Sequence, residues 1–442
     1  MPQTHTMIRA LVDWAEALKT SFDERVYIYQ DPVTGLSFRA TQDLPSGTQI
    51  VNCAYGTTLS YLNVIQASPF FQNHSSEPFP SQFMAALSAE DPNIIGHFLL
   101  MQQYLLGEKS FWWPYIRLLP QPDQPETMGI PIWWPEADRA FLNGTNAEPP
   151  IKKRKELWDE EWRRGIDLLR DNLSDWEKYT YILYQWAATV FGSRSFRASL
   201  TIPEELLVDD SDESLAQTLD HVRKDRFSVL LPVVDIGNHN GVNQVDWSRD
   251  VTAGIFSLST RQPILKGTQV YNYYGDKSNS ELLVGYGFIL PDVSKDRVNL
   301  KVTPQPEALL LRRSQACHII QGPNQPEQEF MFNVRMKRED QDSYAKVQEL
   351  QVFSDGLFDT IICMVANRRE RSFISQNLNY CPEKDPAVFG GPLSRSAHQV
   401  LGVLKDKLEY EIARIEGAAS WSGPRYVSII SHALKTSSND LQ

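Results

Sequence analysis

Two stretches near the middle of the chain concentrate side chains able to hold and orient a small reactive molecule. Residues 230–240 read LLPVVDIGNHN, and residues 270–290 read VYNYYGDKSNSELLVGYGFIL. The first predicts a short apolar strand running directly into Asp235, Asn238 and His239. The second predicts a strand carrying Tyr271, Tyr273 and Tyr274, then a glycine turn, a short helix and the tetrad Gly285-Tyr286-Gly287-Phe288. Amide, imidazole and phenol groups leaving buried strands make a pocket with aromatic walls and a few directed hydrogen bonds. Other chemistries lack their motifs. There is no G-x-S-x-G elbow, no P-loop and no strand-associated G-x-G-x-x-G. No second His, Cys or carboxylate stands at ligand spacing from His239, so no metal is expected there.

The elements that must position these groups alternate in character. Residues 7–19 have the pattern of an amphipathic helix. Residues 26–62 alternate short β-like runs with turn residues, which suits a small antiparallel sheet. From about 80 to 225 the pattern is helical. Trp158, Trp162, Ile166 and Leu169 make one buried stripe. Ser174-Asp175-Trp176-Glu177 has the form of a capping box opening a helix that carries Trp176, Tyr179, Leu183, Trp186 and Val190 and stops at Gly192. The acidic run 203–215 is an expected exposed loop. Strand patterns return at SVLLPVV (228–234), GIFSLS (254–259), TQVYNYY (268–274) and RVNLKV (297–302). Beyond 303 the chain is mostly helical, with a stripe of Leu401, Leu404, Leu408, Ile412 and Ile415 ending at Gly417. QGPNQPEQE (321–329) and CPEKDPAVFGGP (381–392) are expected linkers, and the tail from Thr436 is expected to be disordered. The fold class is thus α+β, with five segments: an N-terminal helix at 1–24, a first sheet part at 25–79, a helical insertion at 80–225, a second sheet part bearing the site at 226–302, and a helical lobe at 303–442.

Size and composition narrow the function. The 442 residues, 42% hydrophobic and 11% aromatic, are enough for two or three domains with a sizeable core. A net charge of −12 argues against nucleic-acid binding through a basic face. The four cysteines, Cys53, Cys317, Cys363 and Cys381, are too scattered for a CxxC zinc motif or a disulfide framework. No signal-peptide core and no membrane-length apolar run is evident, so a soluble intracellular protein without membrane partners is expected. Lys152-Lys153-Arg154-Lys155 reads as the solvated start of a helix, with nuclear import as the alternative.

An NH pair after an apolar strand, followed about 35 residues on by YYG, a KSN turn and YGF, resembles the C-terminal half of a SET domain. SET domains are protein methyltransferases that use S-adenosylmethionine. DKSNSELLVGYGF looks closest to the subclass of the Rubisco large-subunit lysine methyltransferase. Three further segments are similar to it in the same order: GLSFRATQDLPSGTQIV (35–51), GEKSFWWPYIRLLP (107–120) and VFGSRSF (190–196). The resemblance spans roughly residues 25–300. It implies a SET fold of small sheets with a knot-like closure, split by a helical insertion. The following helical lobe then docks a protein substrate. It also implies a monomer in the cytoplasm or nucleus, and a lysine side chain in a non-histone protein as methyl acceptor.

Carried onto this chain, the resemblance places Tyr274 at the catalytic position, where its hydroxyl orients the amine. Asn238 and His239 match the pair that holds the cofactor. Gly35-Leu36-Ser37 matches the first cofactor loop, usually Gly-x-Gly. Ser37 replaces the second glycine, and a serine adopts positive φ less freely. Arg194 matches an arginine near the cofactor carboxylate. Tyr286 and Phe288 wall the channel and the cofactor site, and Phe196 and Val234 line the substrate side. Both of the latter are apolar, which favours lysine over the histidine methylated by one branch of the subclass. Ser37 and the weak match of the lobe leave a second reading, a degenerate SET protein that binds partners without catalysis.

Overall fold

The computed structural model describes residues 2–72, 74, 77–207, 213–291, 295–318, 329–335 and 354–418. The expected linker at 321–329, apart from Glu329, and the tail from Thr436 lie outside the described residues, as do residues 208–212 of the acidic run. The chain divides into two compact units. The first comprises residues 1–134, 151–277 and 283–288; the second comprises 135–150, 278–282 and 289–442.

In the first unit, short strands form two antiparallel sheets and a two-strand pair. The strands are β1 (Ser21–Phe22), β2 (Val26–Asp31), β3 (Gly35–Ala40), β4 (Gln49–Ala54), β5 (Phe196–Arg197), β6 (Ser228–Val229), β7 (Val245–Asp250), β8 (Ile255–Thr260) and β9 (Gln269–Val270). One sheet has the order β1-β4-β8-β7 and the other β2-β3-β9, while β5 pairs with β6. The β2–β3 hairpin turns because Asp31 Oδ1 accepts from the backbone N–H groups of Val33 and Thr34, at 2.9 and 3.0 Å. Gly35 then takes φ +78°, which restarts the extended chain. Phe38 and Val51 point inward with no exposure, as the period of two requires.

Two strand predictions fall short at the site itself. The apolar run 228–234 is a strand only at Ser228–Val229, with a further bridge from Leu230 to Leu59. Pro232 lacks the N–H needed to continue the ladder. Val233 adopts φ +75°, and Val234–Ile236 forms a 3₁₀ turn, so Asp235 sits in a turn. Likewise β9 ends at Val270, and Tyr271, Tyr273 and Tyr274 lie beyond it in irregular chain. Asn272 redirects the backbone there: its Oδ1 accepts from Tyr273 N–H at 2.8 Å.

The helical insertion is built around Pro92–Leu106 and Tyr181–Arg194, each buried over most of its circumference. The second of these does not begin at the Ser174 capping box. Trp176–Lys178 is a single 3₁₀ turn, and Thr180 caps the helix by accepting from Leu183 N–H at 3.4 Å. The helix also runs two residues past Gly192, to Arg194. Fully buried Trp186 donates its indole N–H to Pro120 O at 2.7 Å. The Trp158, Ile166, Leu169 stripe is buried in the helix Glu148–Arg170.

In the second unit, β10 (Arg297–Lys301) pairs with β11 (Met331–Arg335), so this strand folds with the C-terminal helices. The sequence pattern groups this strand with the upstream sheet instead, because its partner lies beyond the expected linker. Leu357–Val365, Arg368–Gln376 and Ser394–Ala418 pack with Pro306–Ser314 around Leu300, Phe332, Ile361, Ile362 and Ile374. The long last helix buries Ala397, Val400 and Leu404, with Leu393 buried just before it, whereas Leu401 is 53% and Ile412 56% exposed. The buried stripe is therefore rotated from the predicted one. Leu404 and Leu408 belong to both candidate rows, and periodicity alone cannot choose the partner row. Among the described residues no helix is long and apolar enough to cross a membrane.

Candidate active site

The two central motifs meet in space. His239 and Asn272 form a parallel bridge. Asn272 N–H donates to Asn238 O at 2.7 Å, and Asn240 N–H donates to Asn272 O at 3.2 Å. Segments 238–240 and 270–274 thus run side by side although some thirty residues separate them, because the β7–β8 hairpin lies between them in sequence. Gly237 permits the close approach, since a Cβ there would lie 3.0 Å from Asn272 Cβ.

Tyr274 is held from three directions. Its backbone N–H donates to His239 Nδ1 at 3.1 Å, and its hydroxyl donates to Gly237 O at 3.0 Å. Its ring is stacked between His239 (centroids 5.2 Å apart, 18° between planes) and Tyr286 (4.8 Å, 30°). Phe288 closes the cluster, 6.4 Å from His239 and 6.3 Å from Tyr286. Because its hydrogen goes to Gly237, the Tyr274 oxygen keeps lone pairs to accept a donor on its other side. Burial raises the Tyr274 phenol well above its usual range, so it stays protonated. Burial, with a smaller contribution from the Lys277 charge, lowers His239 to about 4. His239 is therefore neutral near pH 7, with Nδ1 accepting and Nε2 carrying the proton.

Beside this cluster lies a charged pair with little contact with water. Arg194, at the end of the helix Tyr181–Arg194, donates from Nη1 to Asp235 Oδ2 at 3.3 Å and to Asp235 O at 3.4 Å. The Asp235 side chain is 1% exposed and that of Arg194 27%. Tyr115 donates to the same Asp235 oxygen at 2.7 Å. Oδ1 of Asp235 is buried and takes no hydrogen bond among the described residues. Burial pushes the Asp235 carboxyl up, against the opposing pull of Arg194 and Tyr115. For Arg194, burial opposes the charge, but Asp235 and the neighbouring phenols outweigh it and the guanidinium stays charged.

The first loop joins the site through Ser37. Only Gly35 of the Gly35-Leu36-Ser37 trio has positive φ; Ser37 lies in β3, opposite Tyr29, and is fully buried. Asn238 Nδ2 donates to Ser37 Oγ at 2.7 Å and to Leu36 O at 3.4 Å. The departure from glycine thus supplies an acceptor for Asn238 without requiring a left-handed serine.

Phe196 pairs with Val229 across β5–β6 and sets its ring 5.9 Å from Phe256, while Val234 is fully buried. Tyr286 is fixed by its helix, Asn279–Tyr286. Arg154, part of the basic run expected to be solvated, instead donates to Val284 O at 2.7 Å in the last turn of that helix. Gly287 follows at φ +84° and packs against Gly129, where a Cβ would meet Gly129 C at 2.6 Å and Ile130 N at 2.8 Å.

Comparison with known proteins bears on the fold. No protein-family model matches the chain. Among solved structures, the SET domain of LSMT bound to lysine and AdoHcy superposes with TM-score 0.60 and 15% identity, covering 92% of each chain. Rubisco LSMT bound to AdoMet superposes with TM-score 0.58 and 17% identity, covering 92% of this chain and 93% of that one. The fold is a SET fold of the Rubisco LSMT type, with small antiparallel sheets and helices. In sequence, ribosomal lysine N-methyltransferase set10 of Schizosaccharomyces pombe is 34% identical over 218 residues, 49% of this chain and 35% of the relative. The human N-lysine methyltransferase SETD6 is 26% identical over 223 residues, 48% of this chain and 42% of the relative. The actin-histidine N-methyltransferase of Drosophila melanogaster is 29% identical over 225 residues, 46% of this chain and 37% of the relative. The matched region thus spans well under half the length of these relatives. The fold is therefore that of Rubisco LSMT, and in sequence about half of the chain is similar to lysine and histidine N-methyltransferases.

Proposed function

We propose that the chain transfers a methyl group from S-adenosylmethionine to the side-chain amine of a lysine in a protein. The single observation that carries this reading is the convergence of Asn238, His239 and Tyr274 at one place beside the Arg194–Asp235 pair. The residues present suit the cofactor. A carboxylate with one unpartnered oxygen and a guanidinium are complementary to the ammonium and carboxylate of its methionine part. The stacked and tilted rings of His239, Tyr274, Tyr286 and Phe288 suit its adenine and its sulfonium. When bound, the cofactor supplies an electrophilic methyl on sulfur.

The chain must do the rest. At pH 7 a free lysine is protonated, and the neutral nucleophile costs roughly 4–5 kcal/mol. A channel with aromatic walls that excludes water lowers this cost, because burial disfavours the ammonium. The Tyr274 hydroxyl, committed to Gly237 as donor, offers its oxygen as acceptor for an amine N–H and so aligns the lone pair. It does not act as a base, since its raised pKa keeps it protonated and its hydrogen bond is to a backbone carbonyl. Ser37 accepts from the amide of Asn238 and holds it in one orientation; Asn238 would contact the cofactor from there. The apolar Phe196 and Val234 offer nothing to hydrogen-bond an imidazole, which favours lysine.

Histidine is the second reading, favoured by the match to actin-histidine N-methyltransferases. The experiment is transfer of labelled methyl into protein extract from cells lacking the enzyme, with the labelled site located by mass spectrometry. Methyl-lysine supports the proposal. 3-Methylhistidine would move it to the second reading, and absence of label would favour a binding protein without catalysis. The same reading places the protein in the cytoplasm or nucleus.

A further inference from the structure

Two of the four cysteines that look scattered in the sequence are brought together in the second unit. Cys317 follows the helix Pro306–Ser314, Asp359 lies in the helix Leu357–Val365, and Cys381 precedes the turn Pro382–Lys384. The thiols of Cys317 and Cys381 both point at the same atom, Asp359 Oδ2, at 3.4 and 3.2 Å. One ligand atom from each residue lies within 4.8 Å of the others. Zinc bonds of about 2.3 Å to sulfur and 2.0–2.2 Å to oxygen give tetrahedral sulfur–oxygen edges of about 3.5 Å, close to those observed. We propose that Cys317, Asp359 and Cys381 bind a zinc ion that ties these three segments together.

Two further features fit a cation of this kind. The three residues line a cavity of about 270 Å³, so there is room for entry and for a water as fourth ligand. Buried Arg312 sets the charge. It donates to Gln315 Oε1 at 3.0 Å, Thr360 Oγ1 at 3.3 Å, Cys317 Sγ at 3.4 Å and Cys317 O at 3.4 Å, and lies 4.0 Å from Asp359. Replacing two thiol protons by one dication leaves the buried charge unchanged: two thiolates and a carboxylate offset zinc plus the guanidinium. The Arg312 contact to sulfur then supports a ligating thiolate from outside the metal's own shell. The wide sequence separations explain why no spacing motif announces the site, since each ligand comes from a different element.

The test uses the full chain, purified under reductant and stripped with chelator, titrated with zinc against a chromophoric competitor. One equivalent should bind, with a rise in melting temperature. Cobalt(II) should show thiolate charge-transfer absorption. Cys317→Ser, Cys381→Ser and Asp359→Asn should each abolish stoichiometric binding, while Cys363→Ser retains it. Circular dichroism shows whether the variants remain folded. No binding, binding indifferent to Cys317→Ser and Cys381→Ser, or a Cys317–Cys381 disulfide that persists under reductant would overturn the assignment.

Discussion

Replacing Tyr274 by phenylalanine removes one oxygen and leaves the ring between His239 and Tyr286. The stacking, worth about 0.5–1.5 kcal/mol per pair, is therefore retained. What is lost is the hydrogen bond to Gly237 O at 3.0 Å and the acceptor oxygen offered to the amine. Leaving a buried carbonyl without its donor costs about 1–3 kcal/mol. If the same oxygen aligns the nucleophile, a loss of similar size enters the barrier, and at about 1.36 kcal/mol per decade this is roughly a 5- to 150-fold fall in rate. The effect belongs in kcat, because the cofactor contacts assigned to Asn238 and Arg194 are untouched. Single-turnover methyl transfer, with S-adenosylmethionine binding measured separately, divides the two. A Tyr274→Phe enzyme with unchanged turnover would refute the role given to this hydroxyl. A variant whose whole defect is in cofactor affinity would refute it equally.

Arg194→Met leaves Asp235 as a buried carboxylate with Tyr115 as its remaining partner. Breaking such a pair costs about 3–5 kcal/mol, and the partial exposure of Arg194 points to the lower end. Asp235 already has a raised pKa, so its ionised form opposes folding above the usual carboxylate range, and loss of Arg194 raises it further. The deficit in unfolding midpoint should therefore be largest at neutral pH and shrink as the pH falls and Asp235 protonates; a deficit that grows in acid would contradict the pairing. Gly287→Ala should lower stability by several kcal/mol, because the left-handed φ and the backbone of Gly129 and Ile130 both exclude a methyl. Thermal denaturation indistinguishable from the wild type would show that this contact is not tight.

The site was legible where its chemistry is local and obscure where it depends on long-range contact. NHN and YYG are short motifs whose residues act near their own backbone, and the structure brings them into register. Asn272 carried a readable signal, a polar residue disfavoured in strands, which marks where β9 ends and the chain turns to meet 238–240. By contrast, Tyr115 reaches Asp235 across 120 positions and Asn238 reaches Ser37 across 201. No spacing rule links such partners. The same limit explains the rotated stripe of the last helix, whose apolar residues on two faces left the buried one to be chosen by tertiary packing.

Equilibrium dialysis of labelled S-adenosylmethionine against the wild-type chain and Asn238→Ala asks whether Asn238 and the phenol at 274 frame one cofactor site. The expected result is saturable binding to the wild type, one molecule per chain, and much weaker binding to the variant. No binding by the wild type, or equal binding by both, would contradict it.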